Sequence, residues 1–198
     1  MAALPFYVTR DDPPAKREIL RSALKLFSAR GLAATSIRDI SEESGYTNPA
    51  LYKHFASKDE LALYLFEACH ARVWARCNSA LASGREFDAQ LDAFVASWLA
   101  LLDEEPEVLA FVANSARVLW PRVSSTTRRK TMIGLARSLV RGAPQLRTSS
   151  DRADLDAAAA SVQGTLSELG RMIQLGVVQG PAARWHATLV ELFQRTLG

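Results

Sequence analysis

Apolar residues recur every three or four positions through most of this chain, which is the spacing of amphipathic α-helices. In residues 14–30, for example, Ile19, Ala23 and Phe27 fall four apart. Glycine, proline and serine interrupt the pattern at several points, and each interruption marks the end of one predicted helix and the start of another. The sequence therefore predicts an all-α fold.

The interruptions lie closest together in residues 35–60. Ser36 and Asp39 have the spacing of a capping pair at the start of a helix, and Gly45 supplies the left-handed backbone that ends a helix and turns the chain. Pro49 fits the first turn of the next helix, because the N–H that proline lacks would have no partner there. These signals predict two short helices joined by a tight turn, with a longer helix following.

The second short helix is predicted to have one buried edge and one polar edge. Leu51 and Phe55 lie four apart and face inward. The residues left outside carry hydrogen-bond donors and almost no negative charge, which suits a polyanion. Two short helices joined by a glycine turn form the helix-turn-helix arrangement that places the second, recognition helix in the major groove of DNA. The outward residues are Thr47, Asn48, Ala50, Tyr52, Lys53 and His54.

The longer helix begins with a second capping pattern, formed by Ser57 and Glu60, and has Lys58 at its first position. A lysine at a helix N-terminus opposes the helix dipole, whereas a bound anion would reverse this effect. A DNA phosphate there would meet backbone N–H groups and the Lys58 ammonium together. The other interpretation, an ordinary solvated surface lysine, stays open on the spacing alone.

Taken together, the motifs from Lys16 to about Leu65 closely resemble the DNA-binding domain of the TetR (tetracycline-repressor-like) family of transcriptional regulators. The resemblance covers roughly the first third of the chain, and its specificity comes from several separate signals in one order at one spacing. It implies an all-helical homodimeric repressor, with an N-terminal three-helix helix-turn-helix domain and a larger C-terminal helical domain that binds a small-molecule effector. The motifs are Gly31, Thr35 to Ile40, Gly45, Leu51 to Phe55 and Ser57 to Leu61.

The same resemblance implies which residues contact DNA. Tyr52 and Lys58 are expected at phosphates, and Thr47, Asn48, Ala50 and Lys53 at phosphates or bases. One departure from the family pattern is Asn48-Pro49, where many members have a lysine or arginine and then a small residue, and it bears on base preference rather than on the fold. The predicted DNA-binding residues are Ser36, Thr47, Asn48, Pro49, Ala50, Tyr52, Lys53, His54 and Lys58.

The distribution of charge is consistent with this interpretation without proving it. The chain of 198 residues has a formal net charge of +3, and the surplus lies in residues 1–58, with 9 basic and 6 acidic residues against 15 of each in residues 59–198. We place the domain boundary here, with the arm and DNA-binding domain in residues 1–58 and the ligand-binding and dimerisation domain in residues 59–198. Residues 1–13 are predicted to be a flexible arm.

Neither a membrane span nor a secretory signal is predicted, because the apolar runs are too short and the N-terminus lacks an apolar core. A cytoplasmic protein is therefore expected, with Cys69 and Cys77 as reduced thiols. A zinc site at Cys69, His70 and Cys77 is disfavoured, because adjacent residues on a helix point about 100° apart. No metal and no cofactor is predicted.

Two predicted amphipathic helices, in residues 86–105 and 106–119, contain the candidate effector site. If Asn114 or Arg117 faced inward beside the tryptophans, the result would be an aromatic-lined pocket with a few polar groups, the usual form of a small-molecule site. The alternative is an ordinary aromatic core with the polar groups on the surface. The candidate ligand-binding residues are Phe94, Trp98, Asn114, Arg117 and Trp120.

The last two predicted helices, in residues 154–179 and 181–197, carry apolar residues on more than one face. The first of them also contains many small residues, and close helix contact would compensate for the cost of its glycines. This pattern predicts a four-helix interface with a second copy of the chain, so that a homodimer forms through residues 154–197. Packing within one chain is the alternative.

These observations predict a ligand-responsive transcriptional regulator, expected to repress, that binds a near-palindromic operator in double-stranded DNA as a homodimer. A helical protein-interaction module without DNA binding is the alternative. An enzyme is not predicted, because the sequence lacks G-x-S-x-G, a phosphate loop and H-E-x-x-H, and its three histidines stand far apart.

Overall fold

The computed structural model describes residues 5–83, 86–146 and 151–197, and these residues form helices and turns without any β-strand. The predicted all-α fold is therefore confirmed. Short 3₁₀ turns occupy residues 120–122, 144–146 and 182–185. The α-helices are α1 (Pro14–Arg30), α2 (Ile37–Ser44), α3 (Asn48–Tyr52), α4 (Lys58–Ser83), α5 (Phe87–Glu104), α6 (Pro106–Leu119), α7 (Ser125–Arg129), α8 (Met132–Val140), α9 (Arg152–Gln174) and α10 (His186–Leu197).

Contacts within the chain group its residues into two compact units. The first contains the chain up to Arg72 together with Glu107–Arg128, and the second contains Val73–Pro106 together with the chain from Arg129 onward. Helix α4 begins in the first unit and ends in the second. The functional boundary between residues 58 and 59 stays a prediction.

The core of the first unit is aromatic and aliphatic. Phe27 of α1 stacks on Phe111 of α6 with ring centroids 5.7 Å apart, and Phe66 of α4 meets Phe111 edge-on at 6.3 Å. Burying each such side chain contributes about 1.5–3 kcal/mol. Helix α1 packs against α2 and α3, so its apolar stripe supports the helix-turn-helix from behind, as the sequence predicts. The fully buried members of α1 are Ile19, Leu20, Ala23 and Phe27.

Helix α2 begins and ends where its sequence predicts. The Asp39 N–H donates to Ser36 Oγ at 3.1 Å, and the Ser36 N–H donates to Asp39 Oδ2 at 2.6 Å, which completes a capping box. Gly45 has φ +72°, a left-handed conformation that a side chain would strain. The Ser36 hydroxyl holds the pKa of Asp39 below its usual range. The beginning and the end of α2 are therefore set by local chemistry.

The described part of the N-terminal segment is packed rather than free, so the predicted flexible arm is wrong for residues 5–13. Tyr7 and Val8 are buried, and the carbonyl of Tyr7 accepts a hydrogen bond from the Tyr64 hydroxyl. Burial raises the pKa of Tyr7 to about 12. Asp12 is buried as well and accepts from the Thr9 N–H at 2.7 Å, which closes the segment into a turn. Residues 1–4 lie outside the described part of the chain.

In the second unit, α8 packs along α9 and α10 packs on α5. Gly170 of α9 lies directly over α5, since an added Cβ at Gly170 would stand 2.7 Å from Leu102 Cδ2. This glycine supports the prediction that small residues permit close helix contact. Asp103, near the end of α5, accepts the N–H groups of Ala182 and Ala183 at 2.7 and 3.0 Å and so fixes the turn that leads to α10.

Two predicted boundaries in the second unit need correction. Helix α9 ends at Gln174 and not near residue 179, because Gly176 adopts φ +68° and its N–H bonds back to the Ile173 carbonyl. Trp185 belongs to a 3₁₀ turn that precedes α10 and not to the helix itself. The polar and basic stretch at residues 122–130 contains α7, most of which lies in the first unit. The sequence also predicts loops at residues 83–85 and 142–151, of which residues 84–85 and 147–150 lie outside the described part of the chain.

Candidate nucleic-acid interface

Helix α3 rests on two buried side chains. Leu51 is 1% exposed and Phe55 is 5% exposed, which agrees with the inward edge predicted from their spacing. The helix itself is short, and the bonds from the His54 and Phe55 N–H groups to the Leu51 carbonyl continue the turn beyond it. Phe55 also meets the Tyr64 ring at 5.6 Å, which ties the end of this turn to α4. The polar edge of α3 is thereby held at the surface.

The exposed edge of α3 consists of polar and cationic side chains with no acidic residue between positions 47 and 58. Tyr52 is 54% exposed, the most accessible aromatic residue in the described chain. Ser36 is exposed as well, but its hydroxyl is used in the capping box of α2. Ala50, His54 and Lys58 are half-buried. The exposed members of the predicted set on α3 and just beyond it are Thr47, Asn48, Pro49, Tyr52 and Lys53.

Asn48 is fixed by a residue that sequence analysis did not single out. The hydroxyl of Ser41, on the buried side of α2, donates to Asn48 Oδ1 at 2.6 Å. The two residues lie on different helices, on opposite sides of the turn at Gly45. No sequence signal links a serine and an asparagine at this separation, so the contact follows only from the angle between α2 and α3.

Lys58 is neither freely solvated nor wholly available to a ligand. Its Nζ donates to the carbonyls of Leu32 and Thr35, both at 2.8 Å, and so fastens the segment between α1 and α2 to the start of α4. An ammonium group has three donors, which leaves one for a phosphate. The start of α4 is capped by Ser57, whose Oγ accepts the Glu60 N–H at 3.1 Å, while the Glu60 carboxylate accepts from the Ala56 N–H at 2.8 Å.

The basic residues at the start of α1 are engaged inside the protein. Lys16 pairs with Asp12 at 2.7 Å and lies over the Tyr64 ring, and its bond holds the pKa of Asp12 below the usual range. Arg17 donates to the carbonyls of Asp12 and Arg10. Arg21 pairs with Glu18 one turn earlier. These cations therefore contribute less to a phosphate-binding surface than their number suggests.

The five candidate effector residues fall into different parts of the chain. Phe94 and Trp98 are buried in the second unit, and the indole Nε1 of Trp98 is buried without a hydrogen-bond partner among the described residues. Asn114 and Arg117 are exposed, so neither shows the inward orientation that the pocket hypothesis required. Trp120 is half-buried and its ring centroid lies 5.4 Å from that of His70 in the first unit. Their assignment to a ligand site stays a prediction.

The two cysteines and the question of a membrane span remain from the sequence predictions. Cys69 and Cys77 are buried free thiols, and burial raises the pKa of Cys77 to about 12, which keeps it protonated and unreactive at neutral pH. None of the described helices combines the length and apolarity needed to cross a bilayer.

Comparison with known proteins agrees with this geometry. Residues 19–65, which cover most of α1 through the first turns of α4, match the family described as bacterial regulatory proteins, tetR family. The HTH-type transcriptional repressor KstR2 of Rhodococcus jostii (strain RHA1) is 29% identical over 104 residues, 52% of this chain and 51% of that protein. The chain thus spans about half the length of the curated relatives it matches.

Solved structures show that the likeness in fold extends well beyond the matched domain. The ketosteroid transcriptional regulator KstR2 of Mycobacterium tuberculosis superposes with a TM-score of 0.77 at 20% identity, over 95% of this chain and 96% of that chain. The transcriptional regulator FadR from Bacillus subtilis, solved in complex with stearoyl-CoA, has a TM-score of 0.69 at 13% identity, over 92% of this chain and 100% of that chain.

The proteins that the chain matches are transcriptional regulators. The helices of the helix-turn-helix, α2 and α3, both lie within the family match at residues 19–65. Over residues 19–65, the chain therefore matches the tetR family of bacterial regulatory proteins.

Proposed function

We propose that this protein is a homodimeric transcriptional repressor that binds a near-palindromic operator through α3 and leaves it when an effector binds. The observation that carries the proposal is the exposed edge from Thr47 to Lys53, which is rich in donors, contains no acidic residue and is supported from behind by buried Leu51 and Phe55. A face of this kind fits the major groove, where donors meet base edges and phosphates.

Phosphate contacts would come from both ends of this surface. Tyr52 and Lys53 are exposed on α3, and the remaining N–H of Lys58 lies at the start of α4, where unpaired backbone N–H groups favour an anion. Such contacts fix the register of the protein on the duplex, whereas Asn48 and Thr47 are placed to read base edges. Ser36, Pro49, Ala50 and His54 complete the proposed contact surface.

A second copy would cover the outer surface of α9 and α10. Leu175 and Val177 are 62% and 65% exposed just after α9, and Leu192 of α10 is 38% exposed. On α9 itself, Gly164 is exposed and an added Cβ would meet nothing within 4 Å, so this part of the helix has room for a close partner. A twofold dimer through residues 154–197 would present two α3 helices to two half-sites about 34 Å apart, or a multiple of that distance.

The effector is proposed to be an apolar molecule that carries a hydrogen-bond acceptor. Trp98 supports this choice, because a buried indole N–H without a partner loses about 1–3 kcal/mol that an acceptor on a ligand would restore. Phe94 lies one turn away on the same face of α5 and is also buried. A protein of similar fold was solved with stearoyl-CoA, whose stearoyl chain is apolar and whose thioester carbonyl is a hydrogen-bond acceptor, while its CoA portion is charged.

The DNA-binding proposal is tested by selecting bound sequences from a random DNA pool and measuring affinity at two salt concentrations. Tyr52→Ala and Lys58→Ala are expected to weaken binding to all sequences, because both residues contact phosphates. Asn48→Ala is expected to change sequence preference by about 1–3 kcal/mol. Equal losses on selected and random DNA for all three variants would contradict the assignment, as would an affinity that does not change with salt.

The dimer is tested by Val177→Glu, which buries a charge if residue 177 lies in the interface. The expected result is a monomer by sedimentation together with lost operator binding. Val118→Glu provides a matched control, since Val118 is 59% exposed on α6 and lies outside the proposed interface. A Val177→Glu variant that stays dimeric would place the dimer contact elsewhere.

A further inference from the structure

The hydrogen bond between Ser41 and Asn48 restricts what Asn48 can present to DNA. Ser41 is 8% exposed and donates its hydroxyl proton to Asn48 Oδ1 at 2.6 Å. The side-chain oxygen of Asn48 therefore points toward α2. The amide nitrogen, which is bonded to the same carbon, points away from Ser41, and Asn48 itself is exposed.

This arrangement is one of two that Ser41 could adopt. A serine within a helix can satisfy its own hydroxyl by bonding to a carbonyl one turn earlier, and it then needs no partner on another helix. Here the hydroxyl bonds across the Gly45 turn instead. Asn48 is also not held by local capping, because Thr47 is the N-cap of α3 and makes no side-chain capping bond. The contact with Ser41 is therefore what orients the Asn48 amide.

We infer that Ser41 sets the base preference of this protein by holding the acceptor oxygen of Asn48 toward α2, so that Asn48 presents its N–H donors to the major groove. The inference rests on the proposed function. In the major groove guanine offers two acceptors, O6 and N7, whereas adenine offers one acceptor and one donor and cytosine offers a donor. A free asparagine prefers adenine, because it donates to N7 and accepts from N6. With its oxygen turned toward α2, Asn48 matches guanine and loses the paired contact to adenine.

Ser41 is thus a positioning residue behind the interface and does not itself touch DNA. Its removal should change which base is preferred and should leave phosphate contacts, and with them the salt dependence of binding, unchanged. A purely structural role would weaken binding to every sequence alike. Base preference and the salt dependence of binding therefore distinguish a positioning role of Ser41 from a purely structural one.

The experiment selects bound sequences from a random DNA pool with the wild-type chain and several variants. Asn48→Ala locates the base pair that Asn48 reads, as the position at which preference disappears. At that pair the wild type is expected to select guanine over adenine. Ser41→Ala frees Oδ1, and the ratio of adenine to guanine is expected to rise about tenfold, within the range for one paired contact.

Two further variants complete the test. Ser44→Ala removes a buried hydroxyl from the same helix that bonds to the Ser41 carbonyl and does not touch Asn48, so its profile is expected to equal that of the wild type. Asn48→Asp keeps an oxygen toward Ser41 and places a second oxygen outward. An outward acceptor matches the N4 amino group of cytosine, so the preference is expected to move to cytosine.

Each result decides between the inference and the broader proposal. A wild-type chain that selects no sequence at all would overturn the proposed function and the inference together. A wild type that selects a site while Ser41→Ala keeps the same profile would overturn the inference and leave the function intact. The same shift in Ser44→Ala would show a structural effect and also overturn it. If circular dichroism shows that Ser41→Ala does not fold, Asn48→Asp decides, and a profile without cytosine overturns the inference.

Discussion

The start of α1 and the edge of α3 lie in the same small domain, and both carry side chains suited to DNA, yet they use them differently. Lys16, Arg17 and Arg21 of α1 are bound to carboxylates or carbonyls of the protein. Tyr52 of α3 and Lys53, which directly follows this helix, are exposed and make no side-chain hydrogen bond within the described residues. The first group holds the domain together, and the second is available to a partner.

This difference shows why a count of basic residues is a poor guide to a DNA interface. A surface cation that is already paired within the protein must give up that pair before it can bind a phosphate. An unpaired cation gives up only water and counterions. Substitutions in the paired group on α1 and in the exposed group at α3 test this difference, and their expected effects range from large to small.

The largest effect is expected on the exposed side. The double variant Tyr52→Ala with Lys53→Ala should lower operator affinity by about 1–3 kcal/mol and should reduce the salt slope of binding by about 1, because a phosphate cation is lost. Thermal unfolding should stay at the wild-type value, since both side chains are exposed. Affinity and salt slope equal to those of the wild type would mean that α3 does not form the interface.

Lys58 shares features of both groups, because two of its ammonium N–H groups bond to protein carbonyls and the third is left for a ligand. Lys58→Ala should lower the free energy of unfolding by about 1–3 kcal/mol, the usual cost of removing hydrogen bonds to a charged group. It should also weaken DNA binding. Chemical denaturation gives the first quantity, and Lys53→Ala serves as the matched control. Unchanged stability in Lys58→Ala would show that the bonds to Leu32 and Thr35 carry no energy.

Ser36 is predicted as a DNA contact, but its hydroxyl already caps α2. Ser36→Ala should therefore destabilise the fold by about 1 kcal/mol. Its effect on DNA affinity should be smaller than its effect on stability. Ser138→Ala removes an exposed helical hydroxyl that is not a cap and should change little in either measurement. A larger loss in DNA binding than in stability would assign Ser36 to the interface rather than to the protein interior.

The smallest effect concerns Asp12, which holds Lys16 within the domain. Because the bond from Lys16 lowers the folded pKa of Asp12 below its ordinary 3.8, the carboxylate stabilises the fold above that pH. This contribution is lost as the pH falls through the lowered folded pKa. Asp12→Asn should therefore be less stable than the wild type at neutral pH, and the difference should shrink in acid. Urea denaturation across this pH range measures it, and a constant difference would contradict the pair.

Much of the helix-turn-helix was predictable from sequence, because its signals are local. Ser36, Gly45 and Pro49 each act on the backbone within a few residues, so their spacing alone defined where α2 ended and α3 began. The contacts of Ser41 with Asn48 and of Lys58 with Leu32 were missed, because they join residues of different elements. Such contacts depend on angles between helices, which no periodic pattern encodes.

For the candidate effector residues, the sequence predicted burial but did not determine side-chain orientation. Aromatic residues at helical spacing correctly indicated burial for Phe94 and Trp98. The orientation of Asn114 and Arg117 depended on which side of α6 faces the core, and a helix with apolar residues around most of its circumference leaves that choice open. The packing of the N-terminal segment could not be predicted either, because two buried residues, Tyr7 and Val8, are too few to produce a periodic pattern.

The contact between Gly170 and Leu102 has a consequence for how related sequences vary. The space between α5 and α9 at this point is smaller than a methyl group, so any residue other than glycine at position 170 requires the leucine to turn away or to be shortened. Homologous chains should therefore show these two positions changing together, with a bulkier residue at one matched by a smaller residue at the other.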